Sequence, residues 1–149
     1  MSEITDNLIS LLDDFITSTG TNSSCLITED GLVIAVNSKQ DEKEEEINYN
    51  FAAISASILS MAERGIEIIN TNKILEQIKI DAGLDQNLDA DFTILITRVY
   101  SNVLLQIIYP KRINTGLIHF ETNKIIKQIK EIIQSDTSRS LFTNLGSLT

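Results

Sequence analysis

The sequence has 149 residues and a mass of 16.6 kDa, which suits one domain of ordinary size and is too short for two. Hydrophobic residues make up 42% of the chain and charged residues 22%, a balance typical of a globular protein with a real core. Twelve lysines and arginines against 21 acids give a formal net charge of −9, and no basic cluster offsets it, so nucleic acid and anionic lipid are not expected as main partners.

The start of the chain lacks the basic segment and apolar run of a signal peptide. No apolar stretch reaches the roughly 20 residues that cross a bilayer. The only cysteine, Cys25, cannot form a disulfide within the chain or build a thiolate metal site. These features predict a soluble cytoplasmic protein that does not insert into a membrane.

The first predicted element is an amphipathic helix from Ile4 to Thr19, which Gly20 ends. Its apolar residues recur at helical spacing, so they gather on one face and should cover an apolar surface. They are Ile4, Leu8, Leu11, Leu12, Phe15 and Ile16.

A β-hairpin is predicted next, because the β-rich runs 25–29 and 32–36 flank Asp30-Gly31. Tight hairpin turns need positive φ, which this pair readily adopts. The second run barely alternates between apolar and polar residues, which indicates a strand covered on both faces.

The stretch from Lys39 to Glu46 is charged and mostly acidic. We expect a solvated loop that leads into a helix, where carboxylates complement the positive end of the helix dipole. A metal site is the alternative, but these carboxylates lack the spacing of a calcium loop.

The middle helix, predicted from about Ile47 to Ile66, has two faces of different character. One is a large apolar stripe: Phe51, Ile54, Ile58, Met61 and Ala62. The opposite face carries Ala53, Ala56, Ser57, Ser60 and Arg64. The small residues allow two interpretations, a solvent-exposed face or a seam where two helix backbones approach closely. We favour the seam, because a solvent face in so charged a protein would usually carry Lys and Glu.

Three strands and a third helix are predicted in the second half. Ile74 to Asp81 alternates in the manner of an edge strand, whereas Phe92–Val99 and Val103–Tyr109 are apolar on both faces and should be central. After Pro110, Asn114-Thr115-Gly116 offers N-cap chemistry for a helix from Leu117 to about Ser135. Its isoleucine stripe comprises Ile118, Ile125, Ile129 and Ile132, flanked by Ile126 and Ile133, and the lone His119 beside it is interpreted as a packing or capping residue.

We predict one domain over residues 1–135 and a polar tail over 136–149. In the tail, Leu141, Phe142, Leu145 and Leu148 recur at near-helical spacing. The tail is therefore either a frayed end or a short docking helix, and docking is favoured because four exposed apolar groups would promote aggregation.

The sequence offers no common catalytic constellation, so we expect neither an enzyme nor a cofactor. With one Cys and one His, only a single Cys–His dyad is conceivable, and Cys25 lies in an apolar strand where a thiol is usually inert. Glycine-rich phosphate loops and the Gly-x-Ser-x-Gly elbow are absent from the sequence. A hydrolase built from two distant acids stays open, although nothing requires one.

The predicted order, α-β-β-α-β-β-β-α, indicates an α/β (α+β) domain whose antiparallel sheet is sandwiched between helices. This order of elements and two local sequence patterns resemble the Roadblock/dynein light-chain family. The hairpin from Cys25 to Ala35 is similar to the family's apolar strand, Asp-Gly-Leu and apolar-Ala signature. Asn114-Thr115-Gly116-Leu117-Ile118 is similar to its Asn-x-Gly-apolar opening of the last helix.

The resemblance covers about Ile4 to Ser135 and implies a five-stranded sheet with the middle helix on one face and the terminal helices on the other. It also implies a homodimer, in which the middle helices pack side by side and the third strands pair. The interface residues implied are Ala53, Ala56, Ser57, Ser60 and Arg64 on the helix and Ile74, Glu76, Ile78 and Ile80 on the strand.

Function by resemblance is non-catalytic: Roadblock dimers bind small Ras-like GTPases as scaffolds or activators, and some are dynein light chains. An activator can order the GTPase's own residues or insert an arginine finger. The four arginines that could serve as a finger are Arg64, Arg98, Arg112 and Arg139, and none has a motif to recommend it. The alternatives are a purely structural bridging subunit and a ligand-sensing module, the latter of which predicts a sizeable pocket beside the sheet.

Overall fold

The computed structural model describes residues 3–84 and 90–135. Its helices are α1 (Glu3–Thr19), α2 (Glu42–Ile69) and α3 (Thr115–Gln134). Its strands are β1 (Ser23–Thr28), β2 (Val33–Val36), β3 (Gln77–Ala82), β4 (Phe92–Tyr100) and β5 (Val103–Pro110). The order along the chain is α-β-β-α-β-β-β-α, as predicted. The proposed tail, 136–149, lies outside the described residues.

The five strands form one antiparallel sheet in the order β2-β1-β5-β4-β3. Strand β5, in which every residue except Ile108 is buried, is central: Leu105 pairs with Leu26 of β1, and Gln106 pairs with Ile96 of β4. The two edges are β2 and β3. The predictions of central β4 and β5 strands and of an edge position for β3 are confirmed.

Helices cover the two faces of the sheet unequally. On one face, α1 and α3 bury a core that includes Leu8, Leu12, Leu105, Ile107, Ile125 and Ile129. On the other face, α2 is the one described helix, and it covers a smaller cluster that includes Ile27, Leu59, Ile94, Ile96 and Leu104. This three-layer α+β sandwich confirms the predicted fold class.

The β1–β2 hairpin turns at Gly31, whose φ of +90° is a conformation that glycine adopts without strain. Strand β2 is covered on both faces, as predicted: Ile34 packs toward α1 and α3, and Val33 packs toward α2. Both side chains are nevertheless only half-buried, because β2 is at the edge of the sheet and the part of the chain that the structure describes places no strand beyond it.

The start of α2 differs from the prediction, because the helix begins at Glu42 within the acidic stretch and not near Ile47. Asp41 is the N-cap, and its Oδ1 accepts a hydrogen bond from the backbone N–H of Glu44 at 2.8 Å. The carboxylates of the first turn stabilise the positive end of the helix dipole. The cap at Asp41 and the acidic first turn therefore place the helix start inside the stretch that was expected to be a loop.

The buried face of α2 also differs from the predicted apolar stripe. The buried residues are Asn48, Ala52, Ser55 and Leu59. Phe51 and Ala62 of the predicted stripe are half-buried against the sheet, but Ile54 and Met61 are 49% and 71% exposed. A polar contact accounts for this orientation of α2. The Ser55 hydroxyl donates a hydrogen bond to Oε1 of the fully buried Gln106 at 2.7 Å. The helix therefore turns a face of small and polar residues toward β5.

Strand β3 begins at Gln77, three residues later than predicted, so Ile74 and Glu76 precede the strand. Arg98 of β4 holds this preceding segment. Its Nε donates to the Leu75 carbonyl at 2.9 Å, and its backbone N–H donates to the Glu76 carbonyl at 2.8 Å. Leu75 is buried and Ile74 is exposed.

The predicted N-cap of α3 is confirmed. Oδ1 of Asn114 accepts a hydrogen bond from the Gly116 N–H at 2.7 Å, and α3 then runs to Gln134. His119 is exposed, with its Nε2 3.2 Å from the Asn123 side-chain nitrogen. This position fits a surface residue near the start of the helix, rather than one packed in the core.

Candidate interaction surface

An exposed apolar line runs along α2, and we call it the α2 ridge. It consists of Ile47, Ile54, Met61 and Ile68, which are 45%, 49%, 71% and 86% exposed. They are seven residues apart, close to two helical turns, so they follow one line along the helix. Aligned exposed apolar side chains of this kind mark interaction surfaces.

One edge of the sheet belongs to β3, whose pairing partner among the described residues is β4. Its side chains alternate, with Ile78 and Ile80 half-buried on the α2 face and Gln77, Lys79 and Asp81 exposed. Helix α2 packs most closely over β1 and β2. Among residues 3–84 and 90–135, the β3 half of this face is therefore covered less well than the β1–β2 half.

The edge strand is secured to β4 by a cross-strand hydrogen bond. The Thr93 hydroxyl donates to Oδ1 of Asp81 at 2.6 Å. This bond to the charged form, aided by the neighbouring cations Lys79 and Lys111, lowers the pKa of Asp81. The outer backbone groups of β3 are left available for another strand.

The small-residue face of α2 makes a contact within the chain. The turn at Gly31 approaches it so closely that a Cβ on Gly31 would lie 3.1 Å from the Ala53 Cα and 3.4 Å from the Ala56 Cβ. Small residues at 53 and 56 therefore let α2 cross the β1–β2 turn. Ser57, Ser60 and Arg64 are exposed.

The predicted interface residues are thus not all on one surface. Ile78 and Ile80 flank the half-covered part of the sheet, whereas Ala53 and Ala56 lie beside the β1–β2 turn. The predicted seam of small residues stays a prediction. The sequence analysis did not single out the α2 ridge, although the seven-residue spacing of its apolar residues was a signal available in the sequence.

Arg98 is engaged in a network that leaves it unsuited to the role of an arginine finger. Its side chain is 11% exposed and forms ion pairs with Glu63 of α2, at 2.7 Å, and with Glu29. A further hydrogen bond goes to the Ser101 carbonyl in the β4–β5 turn. Of the other arginines, Arg64 is exposed on α2, and Arg139 lies outside the described residues.

Cys25 is fully buried in β1, and burial raises the pKa of its thiol to about 12. Such a thiol is protonated and shielded at neutral pH, in agreement with the prediction of an inert core residue. Within residues 3–84 and 90–135, no three His, Cys, Asp or Glu side chains are grouped closely enough to hold a metal ion. In the same part of the chain, every helix is too short or too polar to cross a membrane.

No protein-family model and no curated protein matches the sequence. Solved structures do match. MglB of Myxococcus xanthus superimposes with a TM-score of 0.73 at 16% identity, over 91% of this chain and 93% of that one. The gliding protein MglB from Thermus thermophilus gives 0.71 at 11% identity, over 91% and 95%. A Roadblock/LC7 domain from Streptomyces avermitilis gives 0.68 at 15% identity, over 83% and 95%.

The protein therefore has the fold of Roadblock/LC7 domains. MglB structures are among its neighbours in fold, which confirms the resemblance inferred from the hairpin and from the start of α3. At 11% to 16% identity, the likeness extends to the fold alone.

Proposed function

We propose that this protein is a non-catalytic, homodimeric interaction module that binds and regulates a small Ras-like GTPase. The carrying observation is the exposed α2 ridge, together with the outer edge of β3, which has no further strand beside it among the described residues. Both features suit protein–protein contact. The fold it shares with MglB and the family resemblance support the choice of a GTPase as the partner.

Self-association accounts for both features of this surface. A second copy could cover the α2 ridge and so remove its four apolar side chains from water, at about 25 cal/mol per Å² of apolar area. The same symmetric arrangement could pair β3 with β3 of the second copy and satisfy the open backbone groups. Two distinct faces of α2 could form the helix contact, the ridge or the predicted small-residue face.

Two substitutions on α2 separate these possibilities by analytical ultracentrifugation. Ile54→Arg places a charge on the ridge, and Ser60→Arg, at an exposed position that is not an i+3 or i+4 neighbour of a ridge residue on its N-terminal side, places the same charge on the small-residue face. We expect Ile54→Arg to be monomeric and Ser60→Arg to remain dimeric, with the exposed Asn123→Arg of α3 as the control for added charge. The reverse result would assign the seam to the small residues, and two dimeric variants would exclude α2 from the interface.

Regulation of the GTPase would not require catalytic groups in this chain. A bound module can stabilise the GTPase residues that orient the attacking water. We expect the dimer to co-elute with its GTPase and to change the rate of single-turnover GTP hydrolysis. Absence of both effects across the Ras-like GTPases of the source cell would refute the proposal. Binding with unchanged turnover would indicate the alternative, a bridging subunit.

A further inference from the structure

A groove opens beside the sheet at the N-terminal end of α2, with a volume of about 460 Å³. This lies within the range of pockets that hold small molecules. Its walls are mostly apolar and come from α2, β4 and β5: Phe51, Phe92, Ile94, Ile108 and Pro110. The ligand-sensing alternative requires an opening of this size beside the sheet.

One polar side chain in the wall of the groove is incompletely bonded. Asn48 is 1% exposed, and its Oδ1 accepts a hydrogen bond from the Ser23 hydroxyl at 2.8 Å. Its Nδ2 has no hydrogen-bond partner among the described residues. A buried donor without a partner is costly, and the native proteins that keep one usually do so for a reason.

We propose that this groove binds a small neutral molecule that has an apolar body and one amide or carbonyl group. The apolar body would lie between Phe51 and Phe92, and the carbonyl oxygen would accept a hydrogen bond from Nδ2 of Asn48. A carboxylate is disfavoured, because Glu44 also lines the groove and the chain carries a net charge of −9.

This site goes beyond the proposed function, since it requires neither a GTPase nor a dimer. Ile47 of the α2 ridge also lines the groove, so a second copy of the chain could reach the same place. The test therefore compares the wild-type protein with the Ile54→Arg variant, which carries its change outside the groove.

The experiment uses octanamide as the probe and a Phe92→Trp variant as the reporter. The chain contains no tryptophan, so the fluorescence of Trp at 92 reports on the groove alone. We expect saturable fluorescence changes with octanamide and at least tenfold weaker binding of octanoate. Adding Asn48→Ala should weaken octanamide binding by roughly tenfold, the effect of one lost hydrogen bond. The exposed Asn50→Ala should leave binding unchanged.

Circular dichroism establishes that each variant is folded. If Asn48→Ala does not fold, Ala90→Trp in the otherwise wild-type chain gives a second test. Its readout is the shift of isoleucine methyl NMR resonances on addition of octanamide. The bulky side chain at the rim should block the groove, so these shifts should be lost. No saturable binding, or equal binding with and without Asn48, would overturn the site. Octanamide binding to monomeric Ile54→Arg but not to the wild-type protein would also overturn the site, because it would show that a second copy fills the groove. The same result would support the proposed dimer.

Discussion

Arg98 connects four parts of the molecule that are distant in sequence. Its guanidinium contacts Glu29 in the β1–β2 turn, Glu63 on α2 and the carbonyl of Leu75 before β3. The side chain is largely buried while both carboxylates are partly exposed. Arg98 thus holds the C-terminal half of α2 and the approach to β3 against the end of β4.

Replacing Arg98 with Met should lower the free energy of unfolding by about 2–4 kcal/mol, because two carboxylates lose their common partner while the apolar volume is kept. The matched control is Arg64→Met, an exposed change on α2 that should alter stability by less than about 0.5 kcal/mol. Urea unfolding measures both. Equal effects of the two variants would show that the Arg98 network does not stabilise the fold.

Cys25 gives a pH prediction at the same scale. The pKa of the Cys25 thiol is about 12 in the folded protein and near 8.5 in the unfolded chain. Between these two pH values the thiol ionises in the unfolded state and stays protonated in the folded state. The stability that this thiol contributes is present below pH 8.5 and is lost as the pH rises toward 12, by at most about 1.4 kcal/mol per pH unit. Cys25→Ala should show a shallower decline between pH 9 and 11 in urea unfolding. Rapid reaction of the native thiol with a disulfide reagent at pH 8 would contradict its burial.

At the scale of elements, α2 makes three kinds of contact with three of its faces. One face meets the sheet through Ser55 and Leu59, a second meets the β1–β2 turn at Gly31, and the ridge meets solvent. A helix that packs against the protein on a single side needs a single apolar stripe. A helix with several contacts distributes apolar and small residues around its circumference.

Two glycines test this account of α2. Gly31→Ala should destabilise the protein by about 1–3 kcal/mol, because φ is positive there and the new Cβ would crowd the backbone of Ala53. Gly65→Ala should stabilise it by about 0.5–1 kcal/mol, since the helix gains propensity and nothing lies within 4 Å of the new Cβ. Thermal unfolding of both variants measures the effects. A harmless Gly31→Ala would show that α2 and the turn are not in close contact.

The sequence predicted most elements because their signals are local. Asn114 caps α3 through bonds to residues two and three positions away, and Asp30-Gly31 turns the hairpin by its own backbone preference. The buried face of α2 was predicted wrongly, because it depends on Gln106, which is distant in sequence. A serine facing a buried glutamine fixes a rotation of the helix that hydrophobicity alone would not choose.

At the scale of the whole molecule, the sheet is covered by two helices on one face and by one helix on the other. The single helix lies toward β1 and β2, which leaves the β3 side and the α2 ridge partly open. With one helix on this side of the sheet, the outer surface of α2 faces solvent. The isoleucines of the α2 ridge are therefore exposed, although the protein carries a net charge of −9. Such a surface is suited to a partner of similar apolar character.

We also propose that residues 1–135 form the independent domain and that 136–149 is an appendage. A chain truncated after Ser135 should unfold in one cooperative transition, because both core clusters of the described residues are built from positions before that point. Calorimetry measures the transition, with the full chain as the reference. Loss of cooperative unfolding on truncation would place the tail within the domain.

By itself, the sequence determined the element order, the central apolar strands, the hairpin, the cap of α3 and the inert cysteine, because each depends on local spacing or on composition. Only the tertiary structure decided which side of α2 is buried, where β3 begins and what Arg98 does. These depend on contacts between distant residues, such as Ser55 with Gln106 and Arg98 with Leu75. The exposed ridge follows from the same cause: a helix rotated by polar contacts at the sheet presents its large apolar residues to the outside.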